Sequence, residues 1–380
     1  MSMMPSAVSL IEDGLDDPGL DLTMLDPLEL GHARALALDA LREFAYALAG
    51  MEARAKENFA IGRELFDRKL HTAHMIPDNA DQLLRYGEKL RASAIAELEQ
   101  IAAEIEPHVP WRELVSRLKR DMPAPATALD EYREAIEASR HFTISRKLMP
   151  VPDAAIDVVP TPSFLRPLIP LAAYQGPGAF DTVQRGLFLV TLPENGESWS
   201  THSRAELPST ALHEGVPGHH LQMSIGNRLD SIPRRVLSTP AAREGWALYC
   251  ESLMAEMGFL DSAAERFFQA HHLLWQAVRV ILDVSLHTRG MTMEEAAARL
   301  RDELGFEPYI AEAEAKRYCA YPTYQLCYAV GRRDILALRE DLRRARAEDF
   351  SLASFHEELL QYGALPTALA RWGMGLAAVE

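Results

Sequence analysis

The segment Ala211–Gln222, ALHEGVPGHHLQ, holds three histidines and a glutamate within eight positions, together with Pro217 and Gly218. Imidazole and carboxylate are zinc-binding side chains, and a carboxylate next to a ligand histidine can take a proton from activated water. In the H-E-x-x-H signature, two histidines one helical turn apart face a single metal. Here four residues separate Glu214 from the next histidine, His219.

An unbroken helix cannot use this spacing. Six residues at about 100° each turn His213 and His219 to opposite sides, with a rise of about 9 Å. His213 and His220 would share a face but stand about 10 Å apart along the axis, too far for one ion at about 2.1 Å from each nitrogen. The motif can bind metal only if the chain bulges between its ligands. Pro217 lacks the N–H that would bond back to the His213 carbonyl, and Gly215 and Gly218 permit a looped-out backbone. A two-residue bulge would return His219 to the place of a normal second ligand, which favours it over the fallback His220. The competing reading is a helix ending at Gly215, a Pro-Gly turn and two surface histidines.

A third ligand is available downstream. AAREGWALYCESLMAEMG reads as an amphipathic helix, with Glu244 near its start, 25 residues after His219. Glu244 would complete a His-His-Glu set with an open fourth position, or it is an ordinary first-turn glutamate favoured by the helix dipole. Glu251, seven residues further on the same face, is the alternative ligand. Glu214 would be the general base.

These residues need helices to position them. DNADQLLRYGEKLRASAIAELEQIAAEIEP has Asp78 or Asn79 to cap its start, an apolar stripe from Leu83 to Ile101, and Pro107 to stop it. Further helices are expected near 32–55, 58–71, 110–120 and 126–141. Between about 143 and 210 prolines cluster and short β-type runs appear, AIDVV and RGLFLVTL, the second either an edge strand that could pair with an extended peptide or a core strand. Helical pattern resumes after Pro208. The expectation is a mainly α protein with one small β-sheet before the metal-binding helix, organised as a flexible arm (1–27), an N-terminal helical lobe (28–142) and a metal-binding lobe (143–380), the two lobes forming one unit.

Composition narrows the function classes. The chain has 380 residues and a formal net charge of −16, without the basic footprint of a nucleic-acid-binding surface. Three cysteines (Cys250, Cys319, Cys327) make no disulfide framework or zinc-ligand spacing. Neither a signal peptide nor a long apolar span is recognised, so a cytoplasmic protein without membrane partners is expected.

Two other groups could serve the site. RVILDVSLH puts Arg279, Asp283 and His287 at i, i+4 and i+8, a polar stripe on an apolar helix. The stripe would be an ion-pair network behind the metal, or His287 would reach the substrate. Arg332 and Arg333 could bind a substrate carboxylate or be solvated.

LHEGVPGHHLQ followed by REGWALYCE resembles the bacterial family called domain of unknown function 885, as do NFAIGRELFDRKL, RYCAYPTYQLCYAVGR and SLASFHEELLQYGALP, from about Asn58 to near the C-terminus. That family is grouped with zinc peptidases whose ligands are two histidines and a glutamate, thermolysin and thimet oligopeptidase among them. The resemblance implies His213, His219 and Glu244 as ligands, Glu214 as base, and a tyrosine steadying the oxyanion, Tyr324 or Tyr328 in YPTYQLCY. If Pro322 starts a helix, Tyr321, Gln325 and Tyr328 share a face.

The expected protein is a zinc-dependent hydrolase, a metallopeptidase, of a peptide or small amide substrate. The alternatives are a non-haem Fe2+ enzyme of small-molecule metabolism using the same His/His/Glu set, and a non-catalytic binding protein retaining the fold.

Overall fold

The computed structural model describes residues 4–13, 25–55, 58–166, 168–169, 171–194 and 198–376. Helices dominate. In chain order they are α1 (Met4–Asp13), α2 (Pro27–Glu52), α3 (Arg63–Lys69), α4 (Ala80–Ile105), α5 (Trp111–Leu118) and α6 (Ala128–Ser145), then α7 (Leu207–Glu214), α8 (His219–Gly226), α9 (Ile232–Val236) and α10 (Pro240–Glu256). They continue with α11 (Ala263–Thr288), α12 (Met293–Leu304), α13 (Pro308–Ala320), α14 (Cys327–Arg346), α15 (Leu352–Leu360) and α16 (Thr367–Gly373). Between α6 and α7 lies one three-stranded sheet of β1 (Ala155–Pro160), β2 (Ala172–Gln175) and β3 (Arg185–Val190), in the order β1-β3-β2. The mainly α class with a small sheet ahead of the histidine motif is thus observed.

The central element is α11. It is buried along most of its length, and its apolar residues are distributed round the whole helix rather than along one stripe. Helix α4 lies along it, with Leu98, Ile101 and Ala102 joining Phe267, Leu274 and Val278 in one core cluster. The 28–142 and 143–380 segments therefore share a core. Asn79 caps α4 in a reciprocal capping box with Gln82. Within the arm expected for 1–27, Met4–Asp13 is helical and packs on α2; residues 14–24 lie outside the described residues.

The sheet packs on α6 and α7 through Tyr132, Ile136, Phe188, Val190, Leu207 and Ala211. β3 pairs with β1 in parallel and with β2 antiparallel. RGLFLVTL therefore supplies the central strand, not an edge. The edge on the histidine side is β2, whose four residues, AAYQ, carry no alternating pattern.

Helix α10 packs on α14 unusually closely. A Cβ on Gly245 would meet the Gly331 Cα at 2.5 Å, so the two glycines bring the backbones together. This contact fixes α10, and with it Glu244, against the segment that carries Tyr324 and Tyr328.

Candidate metal centre

The chain does bulge between His213 and His219. The Gly218 N–H donates to the Leu212 carbonyl at 3.0 Å, and the Leu221 N–H to the Gly215 carbonyl at 3.4 Å. Both bonds reach back six residues where an α-helix reaches four, so two residues are looped out and α8 restarts at His219. Gly218 is required here for space: a Cβ would lie 1.9 Å from the His213 carbonyl oxygen. The loop is held from outside. The Pro217 carbonyl accepts from Trp246 Nε1 at 2.9 Å and from the Cys250 thiol at 3.4 Å, while Ser139 Oγ lies 2.7 Å from the Val216 carbonyl.

The bulge brings the two imidazoles together edge to face, with ring centroids 4.9 Å apart. His219 Nε2 stands 3.3 Å from Glu244 Oε2. Donor atoms of His213, His219 and Glu244 all lie within 4.8 Å of one another. Two ligands at about 2.1 Å in a tetrahedral shell stand roughly 3.4 Å apart, so the His219–Glu244 pair already has a zinc-like spacing. His213 has its Nδ1 2.6 Å from Glu251 Oε1, which leaves Nε2 to face the other donors. Glu251 is therefore the hydrogen-bond partner of a candidate ligand histidine rather than a member of the three-residue cluster.

His220 points elsewhere. Its Nδ1 is 3.0 Å from the Tyr174 hydroxyl and its Nε2 3.1 Å from the Ala154 carbonyl, so both nitrogens are committed to the sheet.

The three donors line a cavity of about 400 Å³ bordered by α7, α10, α11, α13 and β2. Glu214 reaches this cavity, and no side-chain partner is found for it among the described residues. Tyr324 and Tyr328 also face it, their rings 6.2 Å apart. Tyr324 donates its hydroxyl to Glu244 Oε1 at 2.6 Å. The Tyr328 hydroxyl is without a hydrogen-bond partner among the described residues, and burial pushes its pKa up, so it stays a proton donor.

The YPTYQLCY segment differs from expectation. Pro322 does not start a helix; residues 321–326 form turns, and α14 begins at Cys327. Asp283, fully buried, accepts the Thr323 and Leu326 N–H groups at 2.9 and 3.2 Å. Thr323 holds φ at 68°, a costly angle for a β-branched residue, immediately before Tyr324. Tyr321 is exposed and away from the cavity lining.

His287 does not reach the cavity. It is fully buried, with Nε2 3.0 Å from the Tyr318 carbonyl and its ring packed on Phe59 and Phe66. Of the Arg279–Asp283–His287 stripe, Arg279 alone lines the cavity. Arg332 bonds Ser252 and Arg333 pairs with Asp78, both outside the lining.

The structure adds a network that spacing alone did not disclose. His272 lies 3.7 Å from both Glu206 and Glu251, and Lys119 lies 3.4 Å from Glu206. The sequence signal for Glu206 is Ser203, three residues before it, the spacing of a helix-capping pair, and the Ser203 hydroxyl donates to Glu206 at 2.7 Å.

The model of bacterial proteins of unknown function DUF885 matches residues 28–374. The chain belongs to that family. Among solved structures it is similar to a candidate lipoprotein of unknown function from Shewanella oneidensis (TM-score 0.76, 23% identity) over 96% of this chain and 69% of that one. A candidate lipoprotein from Colwellia psychrerythraea matches with TM-score 0.82 and 21% identity, over 96% of this chain and 65% of that one. At these identities the likeness is one of fold, and the chain spans about two thirds of each neighbour's length. No curated protein matches the sequence. Among the described residues, no helix is long and apolar enough to cross a membrane.

Proposed function

We propose that this DUF885 protein is a zinc-dependent hydrolase of a peptide or small amide bond, akin to zinc peptidases with two histidine ligands and one glutamate. The observation that carries the reading is the convergence of His213, His219 and Glu244 through a two-residue bulge, with Glu251 behind His213. Zinc held by these three side chains would supply Lewis acidity and activation of water.

The chain's own residues account for the rest. Glu214, which borders the cavity without a side-chain partner among the described residues, takes a proton from the attacking water and delivers it to the leaving amine. Tyr328, whose hydroxyl has no hydrogen-bond partner among the described residues, donates to the carbonyl oxygen as negative charge develops on it. Tyr324 holds Glu244 through its 2.6 Å bond and so directs the second carboxylate oxygen toward His219. β2 borders the cavity as an edge strand, a suitable place for an extended substrate to add its backbone.

The test is digestion of a randomised peptide library by zinc-loaded protein and by Glu214→Gln. Cleavage by the wild type, reduced about 10²- to 10⁴-fold in the variant, supports the reading. Equal cleavage by both, or none by the wild type, contradicts it.

A further inference from the structure

The turn that carries Tyr324 is gripped from the far end of the chain. Helix α3 runs on into a π-helical turn, Leu70–His74, which stops at Met75, where φ is 55°. The Ile76 N–H donates to the Leu70 carbonyl at 3.0 Å, and Leu70 and Ile76 share a core cluster with Leu326, Cys327 and Val330 at the start of α14. A short widening of a helix of this kind often marks a functional place. This one ends on His74, a buried imidazole that meets the equally buried Thr323.

His74 Nε2 stands 2.9 Å from Thr323 Oγ1. The Thr323 hydroxyl gives its proton to the Pro322 carbonyl at 2.6 Å, so His74 Nε2 is the donor in the bond between them. Burial, with Lys69 nearby, pushes the His74 pKa down to about 4, so near neutral pH the ring has a single N–H and spends it on Thr323. Lys69 Nζ donates to the Pro322 carbonyl at 2.7 Å, and the Cys327 thiol to the Thr323 carbonyl at 3.1 Å. Asp283 takes the Thr323 N–H at 2.9 Å. Thr323 therefore has its N–H, hydroxyl and carbonyl all bound while its φ stays at 68°. A backbone conformation of this kind costs about 1–3 kcal/mol and persists only where its surroundings over-determine it. The next residue is Tyr324, whose hydroxyl donates to Glu244 Oε1 at 2.6 Å.

We infer that His74 and Lys69 are positioning residues for the metal centre: they hold the Thr323 turn in its left-handed conformation and so keep the Tyr324 hydroxyl on Glu244. Neither residue lines the cavity, so their effect on a metal passes through Tyr324. The inference rests on the zinc reading for what Glu244 holds, whereas the grip on the turn is measurable without metal.

The experiment is a double-mutant cycle on zinc affinity, His74→Phe against Tyr324→Phe, read by competition with a chromogenic chelator. Tyr324→Phe alone is expected to weaken zinc about tenfold or more, and His74→Phe alone about three- to tenfold. Added to Tyr324→Phe, His74→Phe should change the affinity by less than about twofold. Lys69→Met, which removes only the Pro322 bond, takes the place of His74→Phe in the cycle where that variant does not fold. A residue that merely supports the fold would lower the melting temperature and leave zinc affinity unchanged, or lower the affinity equally in both backgrounds. Either result overturns the proposal. Metal-free protein supplies a second readout, amide hydrogen exchange by mass spectrometry. Exchange should quicken in peptides covering 321–328 of His74→Phe and Lys69→Met and stay at the wild-type rate in α11. Unchanged exchange at 321–328 overturns the grip on the turn whatever the zinc result. Quickened exchange there, in a protein whose wild type takes up no zinc, defeats the metal centre and keeps the grip.

Discussion

Glu251 Oε1 stands 2.6 Å from His213 Nδ1, two turns along the same helix from Glu244. One helix thus supplies both a candidate ligand and the carboxylate that fixes the tautomer of another. The REGWALYCE motif follows from this: Glu244 faces His219, Gly245 admits α14, Trp246 and Cys250 hold the bulge, and Glu251 orients His213.

Glu251→Gln should keep the shape while weakening the acceptor behind His213. Zinc affinity is expected to fall about 10- to 100-fold, measured by competition with a chromogenic chelator. Unchanged affinity would remove Glu251 from the account.

Gly218→Ala tests the bulge itself. The added methyl would lie 1.9 Å from the His213 carbonyl oxygen, so the loop must shift. A loss of about 1–3 kcal/mol in stability and a drop in zinc content are expected, read by denaturant unfolding and elemental analysis. A variant with wild-type zinc content would show that the looped geometry is not needed for binding.

His219→Ala and His220→Ala separate the adjacent histidines. The first should abolish zinc binding. The second loses its Tyr174 and Ala154 partners, costing about 1–3 kcal/mol, but should retain the metal. The reverse pattern in elemental analysis would exchange their roles.

His272 makes the stability of the metal-free protein pH-dependent. Burial opposes its charge, but Glu206 and Glu251 raise its pKa from 6.5 to about 9. A raised histidine contributes fully below 6.5, and the contribution is lost as pH rises through about 9. Burial pushes Glu206 and Glu251 up, yet Lys119 beside the first and the His213 hydrogen bond to the second hold each at about 2. Their contribution is lost as pH falls from 4.5 toward 2. Melting temperature should therefore decline between pH 6.5 and 9 in the wild type. His272→Gln should flatten that limb; an equally steep limb in the variant would contradict the assignment.

How much of this was legible in the sequence differs from element to element. Pro217 and the two flanking glycines made a bulge foreseeable, because a proline cannot continue the hydrogen-bond ladder and only glycine fits the tight return. Helix α4 was legible from its stripe and caps. β2 was not, since four residues flanked by prolines carry no period and are ordered by pairing with β3. The start of α14 was hidden because Asp283, some forty positions earlier, binds the turn through Thr323 and Leu326. Which of the two roles His287 takes was not legible, because α11 is buried on nearly all sides and a polar stripe along it does not tell which residues meet the cavity. Glu251 lay on the right face, but spacing could not tell a ligand from the partner of one.

The most direct measurement is elemental analysis of the purified protein beside His213→Ala and Glu244→Ala, before and after zinc addition to metal-stripped samples. About one zinc per chain in the wild type, and little in either variant, is the result the account predicts. Iron in its place would redirect the chemistry toward oxidation. No bound metal after zinc addition, or equal metal in all three proteins, would contradict the central claim that His213, His219 and Glu244 form a metal centre.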